Sequence, residues 1–388
     1  MFEIAKGAKK ALDLLYKNGY ESFLVGGCVR DYILKRPFND YDITTNALPG
    51  QIKQVFSSYK TIDTGIKHGT VTVLVEDLPI EITTYRIDGE YEDNRHPKEV
   101  IFSGSLREDL SRRDFTVNAL AYNGNLIDYF NGLEDINNKI IRCVGNPGKR
   151  FNEDGLRIMR CLRFASVLGF DIEENTAQAV IDNRHLLNNI SAERIYAEFS
   201  KLLNGKNAKK IIEEFSLVFS VLFDGVDYSK RGKYIEKMPT DSLLRTASFF
   251  LDDSEYKKHY KFLKPDNKSF ARVCNVIEGS KKKITTDKSD VKRFLQKYGK
   301  LCFEDILEIK KSEGVDTDSL LCIYREIIFN DECFSISSLN VSGDDIALLG
   351  VKGENIGLVL SDVLENVIEG KIYNKKENII EFIKEKYL

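Results

Sequence analysis

The fold of the first part of this chain is decided by Phe23-Leu24-Val25-Gly26-Gly27-Cys28-Val29-Arg30-Asp31, followed by Asp40-Tyr41-Asp42. The apolar run predicts a buried strand, and the two glycines predict a tight turn into a helix. Glycine lets the backbone approach a phosphate closely, and a helix N-terminus presents unpaired N–H groups to it. The two aspartates offer the hard oxygen ligands that magnesium prefers. The stretch therefore predicts a site for a phosphate chain and a divalent metal.

Length and composition limit the class of protein. The chain has 388 residues, which corresponds to roughly two to four domains, and its 42% hydrophobic and 30% charged residues are typical of a soluble globular protein. Seven cysteines without a CxxC pair argue against zinc and disulfides, and a net charge of −3 excludes a uniformly basic nucleic-acid binder. The amphipathic start lacks the apolar centre of a signal peptide, and no stretch reaches about 18 apolar residues. We expect a cytoplasmic protein without a membrane segment.

The hydrophobic pattern changes along the chain. The first 140 or so residues alternate in the manner of strands, at Ser22–Val25, Tyr41–Thr44, Thr70–Val75 and Ile80–Tyr85. A turn at residues 76–79 is predicted to join the last two strands, and residues 86–104 are predicted to form a long loop. From about residue 147 a period of 3.6 residues predicts helices, for example at Leu156–Leu168, Ala177–Leu187, Ala192–Leu203 and Ile379–Tyr387.

The carboxylates follow the strand periodicity. Alternation places Asp40 and Asp42 on one face of their strand, and it turns Glu81 away from Ile80 and Ile82. If the two strands are neighbours, three carboxylates share one polar surface. Two magnesium ions there would activate an attacking hydroxyl and stabilise a leaving pyrophosphate. The alternative is that the aspartates are ordinary surface residues on an edge strand, since a bare DxD is common.

The order of the motifs resembles that of class II tRNA nucleotidyltransferases, the CCA-adding enzymes, and of the related bacterial poly(A) polymerases. The signature is carried by residues 24–47, and the second, third and fourth motifs of the family match residues 112–120, 128–135 and 153–160. The match keeps the order of the motifs over roughly residues 20–170. Beyond residue 170 only the helical pattern continues.

The resemblance implies the roles of individual residues. It makes Asp40 and Asp42 the metal ligands, with Glu81 as a third catalytic carboxylate. The remaining expected site residues contact the nucleotide, through its phosphates, its ribose or its base: Gly26, Gly27, Arg30, Arg113, Asp114, Asn118, Asp154, Arg157, Arg160 and Arg163. In this scheme Asp114 binds a ribose hydroxyl, while Asp154 and Arg157, three apart on one helix, present a protein template to the base. The plain alternatives are that Asp114 caps a helix and that Asp154 and Arg157 form a surface ion pair.

The resemblance also implies an α+β fold with four segments. A polymerase-beta-type nucleotidyltransferase head with a small mixed sheet and helices is expected at residues 1–146. An all-α neck, body and tail are expected at 147–205, 206–270 and 271–388, with the tail binding tRNA. Residues 281–300 carry eight basic and two acidic residues, which is typical either of a phosphate-binding patch or of a solvated helix face. Basic and aromatic residues also alternate at Tyr256–Phe262.

The activity that the resemblance implies is addition of CMP, CMP and AMP to the tRNA 3′ end from CTP and ATP, with Mg2+ as cofactor. The expected partners are the acceptor end and elbow of tRNA, with no membrane and no protein partner. Residues 64–73 lack the Arg-rich stretch of the poly(A) polymerases, and the loop at residues 86–97 that CC-adding enzymes lack in part is present. An A-adding enzyme, a poly(A) polymerase and a non-catalytic RNA-binding protein remain the alternatives.

Overall fold

The computed structural model describes residues 4–63, 65–88 and 100–388. The chain divides into two units. The first comprises Met1–Gly232 and Phe262–Lys264, and the second comprises Lys233–Lys261 and Pro265–Leu388. The strands of the described residues all lie in the first unit: β1 (Ser22–Val25), β2 (Tyr41–Thr45), β3 (Lys60–Ile62), β4 (Thr70–Val75), β5 (Leu78–Thr84), β6 (Arg86–Asp88), β7 (Val100–Phe102), β8 (Leu120–Asn123), β9 (Asn125–Asp128), β10 (Ile140–Ile141) and β11 (Asp171–Ile172).

Seven of these strands form one mixed sheet in the order β3-β4-β5-β2-β1-β8-β9. Neighbouring strands are antiparallel except β2 and β5, which run parallel and pair Asp42 with Glu81. The predicted neighbourhood of these two strands is therefore confirmed. Apolar side chains of β4 and β5 are fully buried, among them Val71, Val73, Ile80 and Ile82.

The hairpin between β4 and β5 has a shorter turn than the sequence predicts. Glu76 and Asp77 alone form it, both with positive φ (50° and 61°), whereas Leu78 and Pro79 already belong to β5. Two residues in the left-handed region match the twist of the flanking strands. Proline is tolerated because the ladder between β5 and β2 begins one residue later, at Ile80, so no hydrogen bond to β2 is lost.

The prediction of one long loop over residues 86–104 is wrong in part. The strands β6 and β7 form an antiparallel ribbon in which Arg86 pairs with Phe102. Residues 89–99 of the predicted loop lie outside the described residues. These short strands were missed because neither segment shows a clear alternation of apolar and polar residues. Each strand is held by its pairing with the other.

The helices of the first unit follow the sheet and continue beyond it. They are α1 (Lys6–Lys17), α2 (Gly27–Ile33), α3 (Pro49–Val55), α4 (Leu106–Ser111), α5 (Gly132–Asn138), α6 (Pro147–Glu153), α7 (Leu156–Leu168), α8 (Glu174–Asp182), α9 (Ala192–Leu203), α10 (Ala208–Glu214) and α11 (Ser216–Leu222). The predicted helices at α7 and α9 are confirmed. The helix predicted at Ala177–Leu187 ends at Asp182 and continues as a 3-10 turn at Arg184–Asn189. The parallel pair β10 and β11 adds a short strand to a segment predicted to be all helical.

Helix α7 ends where the local sequence can satisfy its last carbonyl groups. Gly169 follows its last residue with φ 73°, and its N–H donates to the carbonyl of Ala165 at 3.1 Å. A left-handed residue at this position is typical of glycine, which lacks the Cβ penalty. The helix therefore runs over the range that its period predicts, and it presents Arg157, Arg160 and Arg163 along its length.

The second unit is helical throughout its described elements. After α12 (Gly232–Ile235), which spans the boundary between the units, these are α13 (Ser242–Phe249), α14 (Tyr256–Phe262), α15 (Asn267–Ser280), α16 (Lys288–Ser312), α17 (Asp318–Phe329), α18 (Gly343–Leu348), α19 (Asn355–Ile368) and α20 (Lys376–Tyr387). Helix α20 begins three residues before the predicted helix at Ile379–Tyr387. A kink interrupts α16 at Gly299, whose φ of 78° breaks the helical path.

Part of the basic charge predicted for tRNA binding is paired within the second unit. Lys288 and Lys292 contact Glu332 at 2.8 Å each, and Arg293 pairs with Glu365. Of the three aromatic residues at Tyr256–Phe262, Tyr256 and Tyr260 are buried and only Phe262 is exposed, so most of this aromatic surface belongs to the core. No helix among the described residues is both long and apolar enough to cross a membrane. The predicted α+β fold, a mixed-sheet head followed by helices, is confirmed, and the four-segment division stays a prediction.

Candidate active site

A cavity of about 800 Å³ lies in the first unit at the edge of the sheet where β1 turns into α2. Every site residue expected from the sequence lines it except Glu81. The lining comes from the start of α2, the segment that leads into β2 and the start of that strand, the segment after α4, and α7 with the residue Asp154 that precedes it. It comprises Gly26, Gly27, Cys28, Arg30, Asp31, Pro37, Phe38, Asn39, Asp40, Asp42, Arg112, Arg113, Asp114, Asn118, Asp154, Arg157, Arg160, Arg163 and Phe164.

The glycine turn allows a close approach that no other residue permits. Gly26 has φ 73° and precedes the first residue of α2. A Cβ at this position would lie 3.1 Å from Nη1 of Arg113 and 3.9 Å from Oδ2 of Asp42. The turn therefore brings the backbone directly beside an arginine and a carboxylate, because glycine has neither a side chain nor a left-handed penalty.

Only two of the three predicted catalytic carboxylates line the cavity. Asp40 and Asp42 line it, whereas Glu81 lies beside Asp42 in the sheet register but outside the lining. Among the described residues, the oxygens of these three side chains do not form a group within 4.8 Å of one another. The sheet register places Asp42 beside Glu81, whereas Asp40 precedes β2 and has no partner in the described register, so a shared surface of all three carboxylates stays a prediction.

Asp42 lies in an environment that disfavours its charged form. Burial raises the pKa of its carboxyl to about 6, Arg113 opposes the rise, and Glu81 and Asp40 add to it. Because burial makes ionisation of this carboxyl unfavourable, a cation bound nearby would stabilise its charged form. The donor set of Asp40 and Asp42, both oxygen ligands, fits a divalent magnesium ion.

A chain of hydrogen bonds connects α2 to α7 across the cavity. Arg30 donates from Nε and Nη2 to the Asp31 carboxylate at 3.0 and 2.8 Å, and from Nη1 to Oδ1 of Asn118. Asn118 donates from Nδ2 to Asp114 at 3.0 Å. Arg160 donates to the other oxygen of Asp114 at 2.8 and 2.6 Å. Residues from three separate motifs are therefore held in one network.

Asp114 is ionised within this network. Burial by itself would raise its pKa, but the charge of Arg160 and the hydrogen bonds from Asn118 and Arg160 outweigh burial, so the pKa is held well below its ordinary value. The backbone N–H of Phe115 also donates to it at 2.9 Å. The alternative that Asp114 is an N-cap is wrong, because the short 3-10 helix that follows it, Thr116–Asn118, has Phe115 as its N-cap residue and no side-chain cap.

Asp109 is a residue that the sequence reasoning missed. Its carboxylate is fully buried and accepts hydrogen bonds from Arg112 at 3.0 and 2.7 Å, from Arg113 at 3.4 Å and from the Thr44 hydroxyl at 3.1 Å. These contacts lower its pKa against the effect of burial. The signal that could have found it is the spacing, since Asp109 lies three and four residues before the two arginines on one helical turn.

The predicted geometry of Asp154 and Arg157 is wrong in one respect, although both line the cavity. They do not share a helix, because α6 ends at Glu153 and Asp154 has extended backbone angles (φ −142°, ψ 105°). Asp154 accepts the N–H of Leu156 at 3.1 Å and pairs with Arg194 at 3.2 Å. The ion pairs of these two residues run from Asp154 to Arg194 and from Arg157 to Glu153.

Arg157 is instead fixed by other partners. Its Nη1 donates to Glu153 at 2.7 Å and to the carbonyl of Arg150 at 3.1 Å, and its Nη2 donates to the carbonyl of Arg112 at 3.0 Å. Arg157 as a whole is only 8% exposed, which limits the orientations that its guanidinium can adopt. Such a held donor plane is suited to reading hydrogen-bond acceptors on a base.

Aromatic residues in the lining were also missed. Phe38 and Phe164 both face the cavity, and the latter is surrounded by arginines of α2 and α7. The available signal was the position of Phe164, which comes four residues after Arg160 and one after Arg163 on the helix that carries the fourth motif.

Three family models match the chain. The model of the poly(A) polymerase head domain matches residues 22–142, which include the glycine turn and the carboxylates. A model described as "Probable RNA and SrmB- binding site of polymerase A" matches residues 169–216. The model of tRNA nucleotidyltransferase domain 2 matches residues 243–383, almost all of the second unit.

Curated relatives and solved structures agree with these matches. The CCA-adding enzyme of Enterococcus faecalis is 35% identical over 98% of this chain and 95% of its own length. That of Ligilactobacillus salivarius is 38% identical over 96% and 95%. The crystal structure of the Bacillus stearothermophilus CCA-adding enzyme in complex with CTP superposes with a TM-score of 0.85 at 30% identity, covering 98% of this chain and 97% of that one.

Proposed function

This chain belongs to the family of CCA-adding enzymes, which are nucleotidyltransferases, and we propose that the cavity of about 800 Å³ in its first unit is the place where it adds CMP, CMP and AMP to the 3′ end of tRNA. The observation that carries the assignment of the site is the convergence of three sequence motifs. A glycine turn, two carboxylates and a wall of arginines, distant in sequence, line one cavity.

Membership of this family implies the use of a divalent metal, and Mg2+ is the ion that we propose. Asp40 and Asp42 would hold it, because their oxygens are hard ligands and because burial makes the charge of Asp42 costly without a cation. When bound, such an ion supplies a Lewis acid for the reacting phosphate and lowers the pKa of the attacking hydroxyl. Glu81 is proposed to add negative potential next to Asp42, from a position outside the cavity lining.

The triphosphate is proposed to lie between the glycine turn and Arg113. Gly26 leaves free the space that a side chain would occupy beside Arg113. Arg113 donates from Nη2 to the buried Asp109 at 3.4 Å, which restrains its orientation before a ligand binds. A guanidinium fixed before binding loses little conformational freedom when it meets a phosphate.

The ribose is proposed to meet Asp114 and Asn118. Asp114 is ionised and therefore accepts hydrogen bonds only, as a ribose hydroxyl donor requires. A deoxyribose would leave this acceptor with one partner fewer. This arrangement favours ribonucleotides over deoxyribonucleotides.

The base is proposed to be read by Asp154 and Arg157 from opposite sides of the break between α6 and α7. Asp154 supplies an acceptor and Arg157 supplies donors in a fixed plane. Arg157 is tied to Glu153 and to two backbone carbonyls, so it presents the same edge to each incoming nucleotide. Cytosine and adenine both offer an acceptor next to an amino group, whereas uracil and guanine invert that order.

The RNA partner is proposed to be tRNA, bound through its acceptor end and elbow. Residues 169–216 match a model of an RNA-binding site, and residues 243–383 match a tRNA nucleotidyltransferase domain. Recognition of a folded RNA relies mainly on shape and phosphate contacts. The lysines of residues 281–300 other than Lys288 and Lys292, which pair with Glu332, are candidates for the phosphate contacts. A cytoplasmic location is also proposed, since the seven cysteines are all free and six are buried.

Incorporation of labelled nucleotides tests this function. The full-length chain is incubated with Mg2+ and with tRNA that lacks its last three nucleotides, in the presence of CTP alone, ATP alone or both. We expect two additions with CTP alone and three with both. Addition of a single A to tRNA ending in CC, without use of CTP, would identify an A-adding enzyme. Long A tails on unrelated RNA would identify a poly(A) polymerase, and no incorporation at all would leave an RNA-binding protein.

A further inference from the structure

Three arginines surround one phenylalanine in the wall of the cavity. The ring of Phe164 lies 3.7 Å from the guanidinium carbon of Arg163, 5.0 Å from that of Arg30 and 5.4 Å from that of Arg160, measured to the ring centroid. Arg30 belongs to α2, whereas the other two belong to α7. One ring therefore joins positive charges from two helices, and all four residues line the cavity.

Each of the three guanidinium groups has a carboxylate on another side. The pairs are Arg30 with Asp31, Arg160 with Asp114, and Arg163 with Glu198. The carboxylates fix one side of each arginine, and the ring of Phe164 is the only group in this set that contacts all three. The arginines are thus arranged around a shared centre.

Like charges at this spacing repel one another. Burial lowers the pKa of the Arg163 guanidinium, and the charges of Arg160 and Arg30 add to that effect, whereas the carboxylates of Glu198 and Asp114 oppose it. A cation over the face of an aromatic ring gains about 0.5 kcal/mol when exposed and about 2 kcal/mol when desolvated. The ring offsets part of the repulsion without adding a negative charge that would compete for the nucleotide.

Polar and apolar contacts also connect these arginines and Phe164 to Asp114. Asn118 links Arg30 to Asp114, and Asp114 holds Arg160. Phe164 packs edge-on against Phe115 at 5.8 Å, and the N–H of Phe115 donates to Asp114. Displacement of the ring would therefore loosen both the arginines and the carboxylate that is proposed to meet the ribose.

We propose that Phe164 is a positioning residue of the nucleotide site, which holds Arg30, Arg160 and Arg163 as one preorganised basic wall facing the incoming nucleoside triphosphate. This inference rests on the proposed function of the cavity. It assigns to an apolar side chain a role in nucleotide affinity and selection that its charged neighbours cannot perform alone. A Phe that served only as core would affect stability and leave the nucleotide steps unchanged.

Three variants separate the two roles. Phe164→Leu keeps an apolar side chain and removes the ring, whereas Phe164→Tyr keeps the ring. Phe56→Leu is the matched control, because Phe56 is also buried and packs edge-on against an aromatic neighbour, Tyr59, at 5.8 Å, but does not line the cavity. Thermal unfolding of each variant gives the change in stability.

Two measurements report on the nucleotide. Binding of CTP and of ATP is measured without RNA, and kcat and KM for CTP are measured with tRNA lacking its last three nucleotides. We expect Phe164→Leu to weaken CTP binding and raise the KM for CTP by about tenfold, with the KM for tRNA unchanged. A tenfold change corresponds to about 1.4 kcal/mol, which lies between the values of an exposed and a desolvated cation–π contact. Phe164→Tyr should restore both values to within about threefold of wild type, and Phe56→Leu should only lower the unfolding midpoint.

Unchanged CTP binding in a folded Phe164→Leu protein would overturn the inference, as would an equal loss in Phe56→Leu or failure of Phe164→Tyr to restore binding. The binding arm also keeps this inference apart from the proposed function. A wild-type chain that binds CTP more tightly than Phe164→Leu but transfers no nucleotide to tRNA would contradict the proposed function and support the role of Phe164.

Discussion

Replacement of Asp42 by asparagine should stabilise the metal-free protein while it abolishes nucleotide transfer. Burial, reinforced by Glu81 and Asp40 and opposed by Arg113, raises the Asp42 pKa from 3.8 to about 6. The folded chain therefore keeps the carboxyl protonated up to about pH 6, and ionisation costs it more than it costs the unfolded chain. The difference between 3.8 and about 6 corresponds to about 3 kcal/mol, at about 1.4 kcal/mol for each pKa unit.

The gain in stability should depend on pH. Below pH 3.8 the carboxyl is protonated in both the folded and the unfolded chain, so its favourable contribution is fully present there. That contribution is lost as the pH rises through about 6, because the folded chain must then ionise Asp42. Asparagine carries no charge at any of these pH values. Asp42→Asn should therefore gain little near pH 4 and up to about 3 kcal/mol at pH 8.

Thermal unfolding in the presence of EDTA measures this difference. For a unit of this size, about 1 kcal/mol corresponds to about 2–4 °C in the midpoint. Addition of Mg2+ should raise the midpoint of the wild type at pH 8 and leave that of Asp42→Asn unchanged, because the variant has lost one proposed ligand. Asp77→Asn, in the two-residue turn between β4 and β5 with φ 61°, is the control and should not move either midpoint.

Three results would contradict parts of this reasoning. An Asp42→Asn midpoint at or below that of the wild type at pH 8 without metal would mean that the ionised carboxylate is not costly. An equal response of both proteins to Mg2+ would remove Asp42 from the proposed metal site. Retained transfer in the variant would contradict its catalytic assignment.

Three further substitutions address other parts of the cavity. Arg157→Ala should blur the choice among CTP, ATP, UTP and GTP more than it weakens triphosphate binding; an unchanged ratio of incorporated nucleotides would exclude base reading by this residue. Asp109→Asn leaves two guanidinium groups without their buried carboxylate, so urea unfolding should show a loss of about 3–5 kcal/mol and the KM for CTP should rise. If neither quantity changes, Asp109 does not hold Arg113. Gly26→Ala adds a Cβ 3.1 Å from Arg113 at φ 73°, so activity should fall while Gly50→Ala, which meets nothing within 4 Å, stays active; equal activity of the two variants would contradict the close approach at the turn.

Much of the site was predictable because its parts are local. The glycine turn and the paired aspartates depend on neighbouring residues, and the strand before them and the helix α7 follow from periodicity. The family resemblance then gave the roles of residues in the second and fourth motifs. All of the site residues expected from the sequence, except Glu81, line the cavity. Their roles in binding metal and nucleotide stay predictions.

Other features depended on neighbours that the sequence does not bring together. The sequence spacing suggests that Asp154 and Arg157 lie on one helix, but α6 ends at Glu153 and α7 begins at Leu156. At this interruption Gly155 packs closely against a distant segment, since a Cβ on it would lie 3.1 Å from the carbonyl oxygen of Leu186. The short ribbon of β6 and β7 is formed by pairing between two segments of weak pattern. Neither the interruption between α6 and α7 nor the pairing of β6 with β7 can be recognised from a short stretch of sequence.

By itself the sequence determined the elements and the chemistry that each can offer, because turns, strand alternation and helix period arise from interactions among residues a few positions apart. The tertiary structure alone decided which of those groups meet. It placed Arg30 against Asn118, 88 positions away, buried Asp109 beneath two arginines, set Phe164 among three guanidinium groups and left Glu81 outside the cavity. The physical reason is that sheet register and helix packing are fixed by the burial of the whole core, and only that packing sets distances between segments far apart in the chain.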